Sequence, residues 1–114
     1  MVIRVVRSLV AARDVGRMHD RIRRLETEIR SAPGCVQACA GRQVLADSRE
    51  RIVLVSVWRN LDALYAWLGG RDLLNSPIRG ADHLFREFDV QHFELLGAAG
   101  EDAATVEASA VVGR

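Results

Sequence analysis

The sequence contains no lysine: all sixteen of its basic residues are arginine. Fifteen acidic residues balance them to a net charge of +1, so the chain has no cationic excess of the kind that neutralises nucleic-acid phosphates. The all-arginine usage is read as codon bias in a GC-rich genome, not as phosphate recognition. Cysteine is scarce. Cys35 and Cys39 lie in one strand-like stretch, and four residues of strand span roughly 13 Å, beyond the reach of a disulfide. They are read as small buried hydrophobes, with no basic neighbour in sequence to lower a thiol pKa. The three histidines and two cysteines show no metal-ligand spacing. There is no phosphate loop or dinucleotide fingerprint and no Gly-x-Ser-x-Gly elbow. No apolar run reaches membrane-spanning length, and the first residues enter a strand-like pattern without a signal-peptide layout. A cytoplasmic protein is expected.

What is present is an order of periodicities. At 114 residues, 49% hydrophobic and 27% charged, the chain suits one domain with a modest core. That domain is expected over residues 1–97, with a mobile tail over 98–114. The run Val2 to Val10 reads as a strand. Asp14 to Ser31 reads as an amphipathic helix, with Val15, Met18, Ile22, Leu25 and Ile29 on one stripe. Asp14 suits its N-cap, and Pro33 with Gly34 ends it. Arg24 and Glu28 lie on its solvated side, and His19 sits on the shoulder of the stripe as a partly buried structural residue. Cys35 to Leu45 and Arg51 to Trp58 read as antiparallel strands joined by a polar turn over Asp47 to Glu50. A helical region follows over Asn60 to Glu87, and a last strand over Phe88 to Leu96. The order is β-α-β-β-α-β, the α+β split arrangement of ferredoxin-like folds, with a four-stranded antiparallel sheet.

Both faces of this sheet look apolar. In the third strand Val53, Val55 and Val57 point one way and Ile52, Leu54, Ser56 and Trp58 the other. In the last strand Phe93 and Leu95 oppose Phe88, Val90, His92 and Leu96. Helices cover one face. A second copy of the same sheet is the economical cover for the other, so a homodimer is expected.

Asn60 suits the N-cap of a helix with Leu61, Leu64, Tyr65 and Leu68 on its stripe and Gly69-Gly70 at its end. A second piece is expected from Pro77, with Ser76 as cap and Ile78, Ala81, Leu84, Phe85 and Phe88 as its stripe. Trp67 lies about a quarter turn off the Leu61/Leu64/Leu68 stripe, where it serves either as the wall of a pocket or as a wedge closing the core. Trp58, at the end of a central strand, is a packing residue first and a pocket lining second. His83 falls opposite its own apolar stripe and reads as exposed beside Glu87. His92 shares a face with Val90, as a core or cavity-facing histidine.

Four stretches carry a likeness to known proteins. They are Ser31-Ala32-Pro33-Gly34-Cys35, the run from Val55 through Trp58-Arg59-Asn60 to Leu64, Ala66-Trp67-Leu68, and Phe88 to Leu95. With the element order, they make residues 2–97 resemble the antibiotic biosynthesis monooxygenases, a family of dimeric α+β barrels. The resemblance implies a monooxygenase that works without metal or flavin on a small aromatic, polyketide- or quinol-like molecule. It implies Trp58, Tyr65 and Trp67 as substrate-binding residues and His92 and Arg79 as polar catalytic ones. Where quinol oxidisers of the family carry an Asn in the strand ending at the matched Trp, this chain has Leu54. Haem-degrading members resemble the chain at Trp67, but Ser76 and Pro77 stand near where they place a haem-ligating His, and Arg7 and Ser8 where they place an Asn. The alternatives are a non-catalytic dimeric ligand-binding or stress-associated domain and, second, a haem-binding or haem-degrading monooxygenase.

Overall fold

The structure, a computed structural model, describes residues 1–73 and 85–96. Its elements are β1 (Val2–Val10), a 3-10 turn (Ala12–Asp14), α1 (Val15–Arg30), β2 (Cys35–Val44), β3 (Glu50–Trp58), α2 (Leu61–Leu68) and β4 (Phe85–Glu94). The strands form one antiparallel sheet in the order β2-β3-β1-β4. This is the ferredoxin-like α+β topology expected from the periodicities. The second helical piece expected from Pro77 lies outside the described residues, as do His83 and the segment 98–114.

The side-chain period of two sorts each strand onto two faces. On the inner face, Val6, Val10, Ala38, Ile52, Leu54 and Trp58 pack against Met18, Ile22, Leu25 and Ile29 of α1 and Leu64 and Leu68 of α2. Burying each of the larger aliphatic side chains contributes about 1.5–3 kcal/mol. This is why the α1 stripe, one residue per turn, docks the helix across the sheet. On the outer face, Ile3, Val5, Val55 and Val57 form a second buried cluster, with Met1, Cys39, Val53 and Leu95 against it. Phe93 on the same face remains 45% exposed.

Three local expectations are corrected. Asp14 stands at the N-cap of α1 but makes no side-chain cap bond; its carboxylate pairs with Arg17 instead. Glu50, expected in a polar turn, is the first residue of β3 and is buried. Phe85 and Glu87, expected in the helical region, belong to β4. Here tertiary pairing overrides local pattern. The outer edge of β1 has backbone donors and acceptors to satisfy along its whole length, and β4 extends back to Phe85 to meet Val10, with a bulge at Leu9/Val10.

The α2 helix is set by its caps. Asn60 Oδ1 accepts from the Ala63 amide at 2.9 Å, and Gly69 closes the helix in the left-handed region at φ 78°. The α1–β2 turn locks onto it. Gly34 has φ +84°, and a Cβ placed there would collide with Ala63 Cβ. Its carbonyl accepts from the Arg59 amide at 2.8 Å. Gly34 thus fixes where α2 leaves β3. Replacing Gly34 with alanine combines left-handed strain with a steric clash, so G34A should cost about 2 kcal/mol or more of unfolding free energy in urea denaturation.

Candidate functional site

Register places three polar residues in one transverse row on the inner face. Arg4 of β1 pairs with His92 of β4 on one side and with Ser56 of β3 on the other. Arg4 is 2% exposed. Its Nη1 donates to the Leu73 carbonyl at 2.8 Å and meets His92 Nε2 at 2.9 Å. A guanidinium nitrogen can only donate, so Nε2 is the acceptor and the proton of the neutral imidazole sits on Nδ1. Burial, opposed by the field of Asp72, pulls the Arg4 pKa down to about 10, still far above neutrality. Burial first, and the Arg4 charge second, push the His92 pKa below its ordinary 6.5. The pair is therefore a permanent cation beside a neutral imidazole.

The tryptophans stand over the end of this row. Trp58 follows Ser56 on the same face, is fully buried, and donates from Nε1 to Ser56 Oγ at 2.9 Å. Trp67 of α2 stacks on it, with ring centroids 6.2 Å apart and planes 28° off parallel. Trp67, His92 and Leu73 are only half-buried, so the cluster reaches the surface along this side. The structure thus brings Trp58 and Trp67 together and sets His92 on the same face, across Arg4 on the far side of β1 from Ser56. Tyr65 is half-buried with the Arg71 guanidinium 5.7 Å from its ring centroid, and it is not among the side chains packed on the Trp58 cluster. Arg79 lies outside the described residues.

Sequence reasoning misses Arg4. The signal available is parity: Val2, Arg4, Val6, Ser8 and Val10 all point inward, so one charged side chain had to enter the core. Sequence reasoning also misses a second polar knot, on the far side of α1. Buried Glu50 is 2.7 Å from His19 Nε2 through Oε1 and accepts from Arg42 Nη1 at 3.1 Å through Oε2. Beside it runs a groove of about 300 Å³, lined among others by His19, Arg23 and Arg42. A second concavity, an open trough of about 810 Å³, occupies one end of the outer sheet face, with Arg7, Gln43, Arg51, Val53 and Asp89 among its lining residues. Arg7 there donates to Gln91 Oε1 at 2.6 Å.

Cys35 and Cys39 are free and half-buried, and burial raises both thiol pKa values, which makes them poor nucleophiles at neutral pH. Among the described residues, no group of three His, Cys, Asp or Glu side chains could hold a metal ion, and no helix is long and apolar enough to cross a membrane.

Two outcomes follow from this geometry. Removing the Ser56 hydroxyl leaves the buried Trp58 N–H without its acceptor, so S56A should destabilise the fold by about 1–3 kcal/mol in chemical denaturation. The depressed His92 pKa means that the folded state takes up its proton later on acidification than the unfolded chain does. The His92 share of stability is therefore present above pH 6.5 and lost as pH falls through the lower folded value. NMR titration of the His92 ring should give a midpoint below 6.5, and R4M should move it upward.

The comparisons with known proteins agree with this architecture. No curated protein matches the chain. Among solved structures, a Deinococcus radiodurans protein described as an antibiotic biosynthesis monooxygenase superposes with a TM-score of 0.71 at 17% identity, covering 88% of this chain and 97% of that one. A variant of SnoaB, a cofactor-independent oxygenase from Streptomyces nogalater, gives a TM-score of 0.62 at 19% identity, covering 86% of this chain and 95% of that one. The haem-degrader MhuD of Mycobacterium tuberculosis, with two haems bound, gives a TM-score of 0.58 at 18% identity, covering 88% of this chain and all of that one. At these identities the likeness shows a shared fold. The sequence model of one family, "Antibiotic biosynthesis monooxygenase", matches residues 1–75, a span that includes β1 with Arg4, the Trp58–Asn60 junction and Trp67, and the chain belongs to that family.

Proposed function

We propose that the chain is a cofactor-independent monooxygenase acting on a small aromatic, quinol- or polyketide-like molecule. The observation that carries this reading is the Arg4–His92 pair on the same inner sheet face as Trp58, on which Trp67 of α2 stacks. The half-buried Trp67 indole, backed by Trp58, offers a planar, apolar surface to an aromatic ring. A buried cation beside them offers stabilisation where negative charge develops when an electron-rich substrate reacts with dioxygen. The protein's part is to exclude water, hold the ring and stabilise that charge, while substrate and dioxygen supply the electrons and the oxygen atom.

In this reading Trp58 and Trp67 form the wall and His92 and Arg4 the polar end. Tyr65 lines the outer approach near Arg71, and Arg79 is a second polar candidate. The described residues fit haem poorly. The His92 lone pair already accepts from Arg4, and His19 is bonded to Glu50 on the far side of α1. A haem-degrading role is therefore not the one this site supports.

We further propose that the active form is a homodimer paired through the outer face of the sheet. Phe93 is exposed there beside the second apolar cluster, and the trough around Arg7 and Arg51 would be enclosed by a second sheet. Light scattering in dilute solution should give twice the chain mass. A charge on that face beside the apolar cluster, V53D, should shift the mass toward one chain.

Oxygen uptake tests the activity. With an aromatic hydroquinone as substrate and no added metal or flavin, consumption should require the protein. W67A should weaken substrate binding about tenfold, the scale set by a lost aromatic contact and its buried area, without dissociating the dimer. Absence of protein-dependent uptake across a panel of hydroquinones, together with retained ligand binding, would replace the enzyme by a dimeric ligand-binding domain. A saturable Soret shift with haemin would reopen the haem reading.

A further inference from the structure

We propose that the trough on the outer sheet face is a second small-molecule site, separate from the tryptophan cluster, and that it takes an organic monocarboxylate with an apolar body. Arg51 and Gln43 hold the carboxylate, and the body lies on Gly41, Val53 and Leu9.

Register builds the site from two neighbouring rows of the sheet. One row runs through Gln43 of β2, Arg51 of β3 and Leu9 of β1, and the next through Gly41, Val53 and Arg7. All of them line the open trough of about 810 Å³, a volume within the range of small-molecule pockets. Val53 and Leu9 give the floor its apolar side chains. Gly41 carries none, so the place beside Val53 stays open. A Cβ added at Gly41 would meet Val53 Cγ1 at 3.4 Å, which means that an ordinary strand residue would fit there and fill this part of the trough.

The charges select the ligand. Arg7 donates to Gln91 and pairs with Asp89, and Arg42 is engaged by Glu50. Arg51 is exposed at the trough, and its side chain has no hydrogen-bond or ion-pair partner among the described residues. Gln43 stands directly opposite it on β2, at roughly 5 Å between Cβ atoms for such a pair. A guanidinium and a carboxamide at that spacing can each donate to one oxygen of a single carboxylate. Arg7 sits diagonally from Arg51 on the same face, about 7–8 Å away, and adds positive potential. Glu87 and Asp89 of β4, on the opposite rim, repel a second anionic group. The trough therefore suits one negative charge joined to an apolar body. An inorganic ion would leave the floor uncovered, and a polyanion would meet the acidic rim.

The test titrates octanoate, octyl phosphate and octanol into the isotope-labelled full chain and follows the amide and indole N–H resonances. Octanoate should move the amides of Gly41, Gln43, Arg51 and Val53 saturably and leave the Trp67 indole unmoved. It should bind about fivefold more tightly than octanol, the upper scale for an ion pair in contact with solvent. Octyl phosphate, doubly charged at about pH 8, should bind no more tightly than octanoate. R51M should bring octanoate down to the affinity of octanol, and R51K should restore part of the difference. G41V should weaken octanoate and octanol alike, with circular dichroism confirming that the variant folds. Shifts at the Trp67 indole in place of the trough amides, equal affinity for octanoate and octanol, unchanged octanoate binding in R51M, or a preference for octyl phosphate would each overturn the proposal. So would an absence of binding combined with a lower mass of R51M in light scattering, which would assign Arg51 to a contact with a second copy of the chain. Each of these outcomes leaves the Arg4–His92 and tryptophan reading to its own test.

Discussion

Pairing of β1 on both of its edges is the interaction on which the rest of this domain depends. All nine residues of the strand have register partners in β3 and in β4. A strand paired on both edges cannot slip by one residue without moving its whole side-chain set to the opposite face. The register therefore holds Ile3 and Val5 in the outer cluster and Val6 and Val10 under the helices. It also holds Arg4 between His92 and Ser56. The packing that stabilises the sheet and the polar row that gives it chemistry come from one alignment.

That alignment has an energetic consequence at Arg4. Burying a guanidinium is unfavourable unless hydrogen bonds and nearby charge compensate it. The Leu73 carbonyl, His92 and the field of Asp72 do so here. Two of these, Leu73 and Asp72, lie just beyond the Gly69 cap of α2. The caps that end α2 thus decide where the chain turns back over the sheet. The clash-limited approach of Gly34 to Ala63 decides where α2 begins. Small residues at two turns position the groups around the buried Arg4 guanidinium. The Glu50 knot does a comparable task on the other side of the molecule, tying α1 to β2 and β3 through His19 and Arg42.

Much of the fold was legible in the sequence because it is written in short-range periodicity. The Val2–Val10 strand, the five-residue stripe of α1, the alternation of β3 and the Asn60 and Gly69 caps each depend on neighbours within a few positions. Strand β4 was legible only in part. Leu84, Phe85 and Phe88 suit a helical stripe as well as a strand, and the choice at Phe85 was made by the backbone of β1, far away in sequence. Trp58 and Trp67 could each be named as pocket candidates, since a tryptophan at a strand end and another on a helix shoulder are visible locally. Their 6.2 Å stacking was not.

The sequence by itself determined the alternation that sends Arg4 inward and His92 to the same face as Val90. Only the tertiary structure decided that these two side chains, separated by 88 positions, would meet at 2.9 Å. It also decided that Glu50 would be buried against His19 instead of lying in an open turn. Parity is a property of one strand, and a sequence pattern can carry it. Register is a property of two strands, fixed by the simultaneous burial of both faces and the pairing of every backbone group between them, and no single stretch of the chain contains it.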